Sequence, residues 1–289
     1  LLSMAHISLS FLDHIARCNN HDMKKFLPFV VDNETVGNIR RDHISLLEKF
    51  PDVFDLSDTF IGLAKGLNSY SDRTDAFSLV IHKLFENGVL NGWRGEPYPV
   101  GGPWGGPHAF EIERAAAPFF GSRAYGVHIN GFVHKEDGIY MWIGRRAEDR
   151  PVCPGELDNM IAGGQPVTLS LQDNVIKEAG EEAGVPSDLA ATAISTGAIT
   201  YRMENETGLK QDTIFCWDLE LPTDFIPSSV DGEISEFFLL PAAEVMEIVD
   251  VSFDFKFNCN LVNIDFFIRH GLLPPSHPDY EKLIKGLGQ

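Results

Sequence analysis

Residues 162–186 read AGGQPVTLSLQDNVIKEAGEEAGVP. Ser170 and Asp173 have the spacing of a helix capping box, and Gly184 followed by Pro186 supplies a stop. The helix predicted between them runs from Leu171 to Ala183, with Leu171, Val175, Ala179 and Ala183 as its packing stripe. Glu178, Glu181 and Glu182 stand at i, i+3 and i+4 and share one face. Crowding three like charges near a helix C-terminus, where the backbone already carries partial negative charge, is unfavourable for the isolated helix. A solvated acidic face is sufficient to explain the fragment EAGEEAG by itself. The glycines Gly163 and Gly164, the caps and the flanking strands shift the balance toward hard oxygen ligands for Mg²⁺ or Mn²⁺, ions that bridge to phosphate oxygens.

Outward from the helix, strand patterns appear on both sides. Ala124–His134 alternates, Ile139–Ile143 is a short apolar run after the turn Glu136-Asp137-Gly138, and Ala193–Tyr201, Thr213–Leu221 and Ile234–Leu240 read as later strands. Helices are expected over Pro241–Val249 and Asn258–His270. Strands enclosing a few helices give an α/β sandwich. The region before it reads differently: a helix at Phe11–Cys18, a hairpin of Phe29-Val30-Val31 with Thr35-Val36-Gly37, a helix from Arg41 to Phe50, and another within Ser71–Leu90 stopped at Asn87-Gly88. Pro97–Pro107, PYPVGGPWGGP, reads as a loop, either a connection or a lid. The expected division is an α+β accessory domain over 1–120, an α/β domain over 121–250 and a helical tail over 251–289.

A formal charge of −19 repels a phosphate backbone and argues against nucleic-acid binding. An acidic protein still accepts an anionic substrate where cations neutralise its carboxylates locally. No apolar run is long enough to cross a membrane, and the start LLSMAHISLS has no basic leader of a secretion signal. Cys18, Cys153, Cys216 and Cys259 lack any CxxC spacing, which favours reduced thiols and a cytoplasmic location.

The helix and its approach resemble a Nudix box: Gly, five residues, Glu, seven residues, then Arg-Glu-apolar-any-Glu-Glu-any-Gly-apolar. Gly163 matches the first Gly, Lys177 replaces the Arg, and Leu169 stands where the first Glu belongs. The likeness extends to Trp142-Ile143-Gly144-Arg145-Arg146-Ala147, Cys153-Pro154-Gly155-Glu156-Leu157-Asp158-Asn159, Thr196-Gly197-Ala198-Ile199-Thr200-Tyr201, Trp217-Asp218-Leu219-Glu220-Leu221-Pro222 and Asp231-Gly232-Glu233. It also covers Trp93-Arg94-Gly95-Glu96-Pro97-Tyr98-Pro99-Val100, Ile112-Glu113-Arg114-Ala115-Ala116 and Phe266-Phe267-Ile268-Arg269-His270-Gly271. Together these resemble the thiamine pyrophosphokinase-related Nudix hydrolases. The resemblance implies a Nudix α/β/α sandwich and a metal-dependent pyrophosphohydrolase. Its substrates would be thiamine-like diphosphates, with oxidised analogues preferred, cleaved to monophosphate and phosphate. It further implies an acid four before the Lys, here Asp173, so that Leu169 is a trait of the group, and a supporting role for Lys177 behind the metal site.

The expected metal ligands are Glu178, Glu181 and Glu182, with Glu178 and Glu182 central to catalysis. Glu233, in a turn before a strand, is the candidate for base or extra ligand; a plain hairpin turn is its competing reading. Gly163, Gly164, Arg145, Arg146 and Tyr201 are the expected substrate contacts. One of the two arginines would reach a phosphate and the other would pair within the protein. Tyr201, Trp93, Tyr98 and Trp104 could stack on a heteroaromatic ring, whereas His128 and Asn130 read as satisfied core polar groups. Two other readings stay open: a Nudix hydrolase of another nucleoside-diphosphate or dinucleotide specificity, and a non-catalytic module that kept the fold. The expected partner is a small diphosphate, and the sequence leaves monomer and homodimer undecided.

Overall fold

The computed structural model describes residues 9–288; residues 1–8, with the apolar start and Met4, and Gln289 lie outside the described residues. Helix α1 (Phe11–Cys18) forms as its spacing predicts and ends at Asn19. Strands β1 (Phe26–Val31) and β2 (Glu34–Arg40) form the expected hairpin. Asp32 and Asn33 both take positive φ in its turn, a conformation that short polar side chains tolerate. The helix expected from Arg41 to Phe50 shrinks to a 3₁₀ turn at Arg41–His43 and α2 (Ile44–Leu47). The chain turns there because the Phe54 and Val53 N–H groups bond back to Phe50, which aims Phe54 into the core. Strands β3 (Phe54–Leu56) and β4 (Ile61–Leu63) complete a sheet of order β2-β1-β4-β3. Helix α3 (Tyr70–Glu86) covers it with Phe77, Val80, Ile81 and Leu84.

The Pro/Gly-rich stretch is not all loop. Residues Pro97–Gly101 form β5, paired antiparallel with β6 (His108–Glu113), and 102–107 turn between them. Proline is compatible with a two-stranded ribbon whose outer edge needs no N–H donor. Burial of Tyr98 and Val100 holds β5 in place. After α4 (Ala117–Phe120) the chain leaves by Gly121 in the left-handed conformation.

Strand β7 (Arg123–Lys135) then starts a second, seven-stranded sheet. Its C-terminal half pairs with β8 (Gly138–Arg146) from Phe132↔Met141 to Lys135↔Gly138. Beyond that point β8 parts from β7, and the consecutive strands β9 (Leu157–Asn159) and β10 (Ile161–Gly164) fill the gap. β9 bonds to β8, and β10 bonds to the N-terminal half of β7. Helix α5 (Leu171–Ala183) and the short α6 (Ser187–Ala190) follow. Strands β11 (Ile194–Glu204) and β12 (Leu209–Glu220) extend the sheet on β7, with β12 parallel to β7, and β13 (Ile234–Pro241) extends it on β8. Helices α7 (Ala242–Val251), α8 (Cys259–Arg269) and α9 (Tyr280–Gly286) end the chain.

Side-chain alternation along β7 separates two layers of core. Val127, Ile129 and Val133 pack with Val175, Ala179 and Ala183 of α5, while Phe132 packs with α7 and α8 on the other face. The sheet is thus sandwiched between α5 and the C-terminal helices. Phe11 and Cys18 of α1 join that C-terminal layer, not the sheet of residues 26–63. The four cysteines are free, and no described helix is long and apolar enough to cross a membrane.

Candidate active site

Ser170 caps α5 by accepting the Asp173 N–H at 3.1 Å and donating its hydroxyl to the Asp173 carboxylate at 2.6 Å. At the other end Gly184 is left-handed, with φ of 64°. The chain from Ser228 returns to this end: the Ser228 N–H donates to Ala183 O, and those of Val230 and Asp231 donate to Glu181 O. Carbonyls that a helix terminus leaves open are therefore used to hold the loop that carries Glu233.

The three helix carboxylates part company. Glu182 is buried at 4 % exposure and accepts the Ala162 N–H of β10 at 2.7 Å. Glu178, one turn earlier, lies against Gly163, where any Cβ would collide with its carboxylate. Glu181 turns outward and pairs with Lys177 at 2.7 Å; Lys177 also reaches Glu178 at 3.1 Å. Burial, and then the Glu178 charge, push Glu182 well above the usual carboxylate range, with Asp158 and Glu233 near enough to add to it. Burial raises Glu178 as well, against the pull of Lys177.

A buried carboxylate with a like neighbour is balanced either by a proton or by a cation. The donors Glu178 and Glu182 are oxygen only, which fits a hard dication such as Mg²⁺ or Mn²⁺. The other compact group of ligand-type side chains among the described residues, His128, Asp158 and Cys259, fits poorly. Asp158 is already held by Arg146 at 2.8 Å and Lys256 at 3.1 Å, and two cations there repel a third. Burial brings His128 down to about 4, while Asp158 sits near 2 because Lys256 and Arg146 outweigh its burial.

Among the other expected contacts, Gly163 and Gly164 lie on β10 beside α5. Asn174 of α5 donates to Gly164 O at 2.7 Å. Leu169 precedes the helix, its carbonyl accepting from Gln165 at 2.8 Å. Glu233 is half-buried and held by Arg150 at 3.0 Å. Arg146 is the arginine that pairs inward, on Asp158, whereas Arg145 donates to Gly155 O and lies over Phe238. Tyr201 is not brought to the carboxylates. It is buried in the layer with α8, donating to Asp212 at 2.7 Å and packing edge-on against Phe257. Trp93 packs on Phe85 and His82 of the accessory region. Trp104, from the β5–β6 turn, packs on Tyr125 and Phe215, with ring centroids 4.8 and 5.1 Å away. His128 and Asn130 lie in the core: His128 is bonded to Asn159, whereas Asn130 donates Nδ2 to Asp218 and leaves its Oδ1 without a partner.

Residues 10–124 match a family described as "Domain of unknown function (DUF4743)". Across 281 residues the chain is 40 % identical to Nudix hydrolase 24, chloroplastic, of Arabidopsis thaliana, covering 96 % of this chain and 77 % of that one. The chain belongs to the Nudix hydrolase family. Nudix hydrolase 20, chloroplastic, of the same plant is equally similar, at 40 % over 288 residues with 96 % and 77 % covered. The Nudix domain of Shewanella oneidensis NrtR, solved in a cocrystal with ADP-ribose, covers 52 % of this chain and 89 % of its own at 14 % identity, with a TM-score of 0.41. This Nudix hydrolase acts on phosphoanhydride bonds, and its sheet between α5 and α7–α9 is the α/β/α sandwich expected of it.

Spacing along the chain does not single out Asn174, Gln165 or Arg114, which border β10 and the approach to α5, or Glu96, which pairs with Arg114. Asn174 carries a readable signal, a polar residue on the buried side of α5 next to Val175. Glu96 and Arg114 carry none beyond the likeness of their motifs, because tertiary packing alone sets the paired Arg114 beside β10.

Proposed function

We propose that this Nudix hydrolase cleaves the diphosphate of thiamine-like compounds, oxidised thiamine diphosphates above all, to monophosphate and phosphate. The observation that carries the hydrolytic reading is the buried Glu182, tied to Ala162, with Glu178 one helical turn away against Gly163. The substrate class rests on the motifs shared with the thiamine pyrophosphokinase-related group. The aromatic wall of Trp104, Tyr125 and Phe215 beside β10 suits a heteroaromatic cation.

In this reading Glu178 and Glu182 would hold Mg²⁺ or Mn²⁺, and Glu181, paired with Lys177 at the rim, would be a further ligand. When bound, the ion supplies a water of lowered pKa and neutralises phosphate charge. Glu233 accepts the proton of the water as its oxygen bonds to phosphorus and the P–O–P bridge breaks. Gly163 and Gly164 let the diphosphate approach the backbone of β10. Arg145 is the arginine kept for the substrate side, and Arg146, Lys177 and Asp173 support the site from behind. Tyr201 drops to a core role.

We further propose the division 1–120, 121–250 and 251–289, with α1 of the first part reaching over to the C-terminal layer, a reducing compartment such as the cytosol, and a small-molecule partner with no nucleic acid or membrane. A homodimer remains part of the proposal, to be read by light scattering. The decisive experiment is a panel assay of Mg²⁺-dependent phosphate release from thiamine diphosphate, its oxidised analogues, ADP-ribose and dinucleotides. Preference for the oxidised thiamine compounds is expected; equal or better turnover of ADP-ribose or a dinucleotide overturns the substrate.

A further inference from the structure

The accessory region presses the Arg114 guanidinium and the Tyr98 hydroxyl against Gly164 of β10, and Glu96 pairs with Arg114 from behind. Before β5, the chain bends around the Glu113 carboxylate, which accepts the N–H groups of Arg94 at 2.8 Å, Gly95 at 3.0 Å and Ala115 at 3.3 Å. That buried anchor fixes the backbone on both sides of it, so Glu96 and Arg114 face one another across the ribbon. Arg114 Nη1 donates to Glu96 Oε2 at 3.0 Å, and its guanidinium lies over the Tyr98 ring at 5.6 Å. Tyr98 in turn donates to Tyr125 O at 2.9 Å, and Val167 N–H donates to Pro97 O at 3.1 Å, which docks the ribbon on β7 and on the approach to α5.

Gly164 is the contact point. A Cβ there would collide with the Arg114 guanidinium and the Tyr98 hydroxyl, just as one on Gly163 would collide with Glu178. Gly163 thus borders the Glu178 carboxylate on one side of β10, and Gly164, the last residue of the strand, borders a cation of the accessory ribbon on the other. Glu96 and Arg114 keep 35 % and 37 % of their side-chain surface exposed. In a chain of net charge −19, a preorganised, half-open arginine beside an acidic site needs a reason. A guanidinium held on one side by a carboxylate still offers donors on another edge, in the fork geometry that matches phosphate.

We propose that Arg114 binds the substrate's phosphate and that Glu96 is its positioning residue, so that the accessory region contributes part of the active site. This rests on the hydrolytic reading above, with the acidic helix supplying the other half of the cleft.

The test uses the full chain and two readouts. Calorimetry measures binding of methylenediphosphonate, which cannot be hydrolysed, in the presence of Mn²⁺, and separately binding of Mn²⁺ alone. Steady-state kinetics then divides KM from kcat on the best substrate of the panel. Arg114→Ala is expected to weaken the diphosphonate about 10–100-fold, the scale of a lost charge-assisted bidentate contact, with Mn²⁺ affinity unchanged. Arg114→Lys, which keeps the charge and loses the fork, should fall between, and Glu96→Gln should follow Arg114→Lys. Lys65→Ala, an exposed cation elsewhere in the accessory region, should behave as the unmodified protein. If Arg114→Ala melts early, Arg114→Lys carries the test at native melting temperature. Unchanged diphosphonate affinity and KM in Arg114→Lys and Arg114→Ala overturn the proposal and leave the pair as structural. Absence of turnover in the unmodified protein on every substrate overturns the hydrolytic reading instead, while diphosphonate binding still reports on Arg114.

Discussion

Glu182 and Ala162 are joined by a 2.7 Å hydrogen bond from the Ala162 backbone N–H to the Glu182 carboxylate. It ties the acidic helix to the strand carrying the glycine pair, and it orients the most deeply buried carboxylate of the site. Replacing Glu182 by Gln keeps an acceptor for that N–H and removes the charge. Mg²⁺-dependent phosphate release should fall on the order of 10²–10³-fold, the scale of losing one contact to developing charge. The metal-free protein should melt no lower than the parent, since burial and Glu178 both oppose ionisation of Glu182. Turnover unchanged in Glu182→Gln refutes the central role given to this helix.

Gly163→Ala tests the close approach from the other side. A methyl there meets the Glu178 carboxylate, and overpacking of this kind costs about 1–3 kcal/mol. Urea denaturation should show that loss, with activity down at least about tenfold because Glu178 must move. A variant as stable and as active as the parent shows that Glu178 has room elsewhere.

Tyr201→Phe separates packing from substrate contact. The hydroxyl donates to the partly buried Asp212, whose same oxygen also pairs with Lys210, and losing one such hydrogen bond costs about 0.5–1.5 kcal/mol. Stability should drop by that order while KM stays within about twofold of the parent. A raised KM with unchanged stability would return Tyr201 to the substrate.

Acid stability follows from Asp218. Burial works to raise its pKa, but the hydrogen bonds from His270 and Arg269 prevail and bring it from 3.8 to about 2. A carboxylate with a depressed folded pKa stabilises the fold fully above its unfolded pKa, and that contribution is lost as pH falls through the folded value. The difference amounts to roughly 2 kcal/mol, so stability should decline between about pH 4 and pH 2. Asp218→Asn should flatten this segment of a pH-resolved denaturation series; an unaltered slope assigns it to other groups.

Local rules made much of this molecule legible. The N-cap Ser170, the left-handed Gly184 and the apolar stripe define α5 to the residue, because capping and period 3.6 act within a few positions of each other. Alternation placed β7, β8, β11, β12 and β13 to within a few residues. Misreadings arose where a distant partner decides. Pro97–Gly101 looks like loop by composition and becomes strand because β6 pairs with it and the core takes Tyr98 and Val100. The helix expected to Phe50 stops early because Phe54 must enter the accessory core.

Within the site the same division holds. The sequence by itself determined that Glu178, Glu181 and Glu182 share a helix with a cation at Lys177, since positions three and four apart meet on any α-helix. Only the tertiary structure decided which carboxylates turn inward: β10 runs along α5, so Glu178 and Glu182 lie at Gly163 and Ala162 while Glu181 is left to Lys177 outside. It also sent Tyr201 to the layer with α8, through the two-residue period of β11 against a sheet whose faces no local pattern labels. And it brought Arg114 to Gly164 from about fifty residues upstream, with Glu96 paired to it. Such a juxtaposition depends on the docking of one ribbon on β7, an interaction that no spacing along the chain encodes.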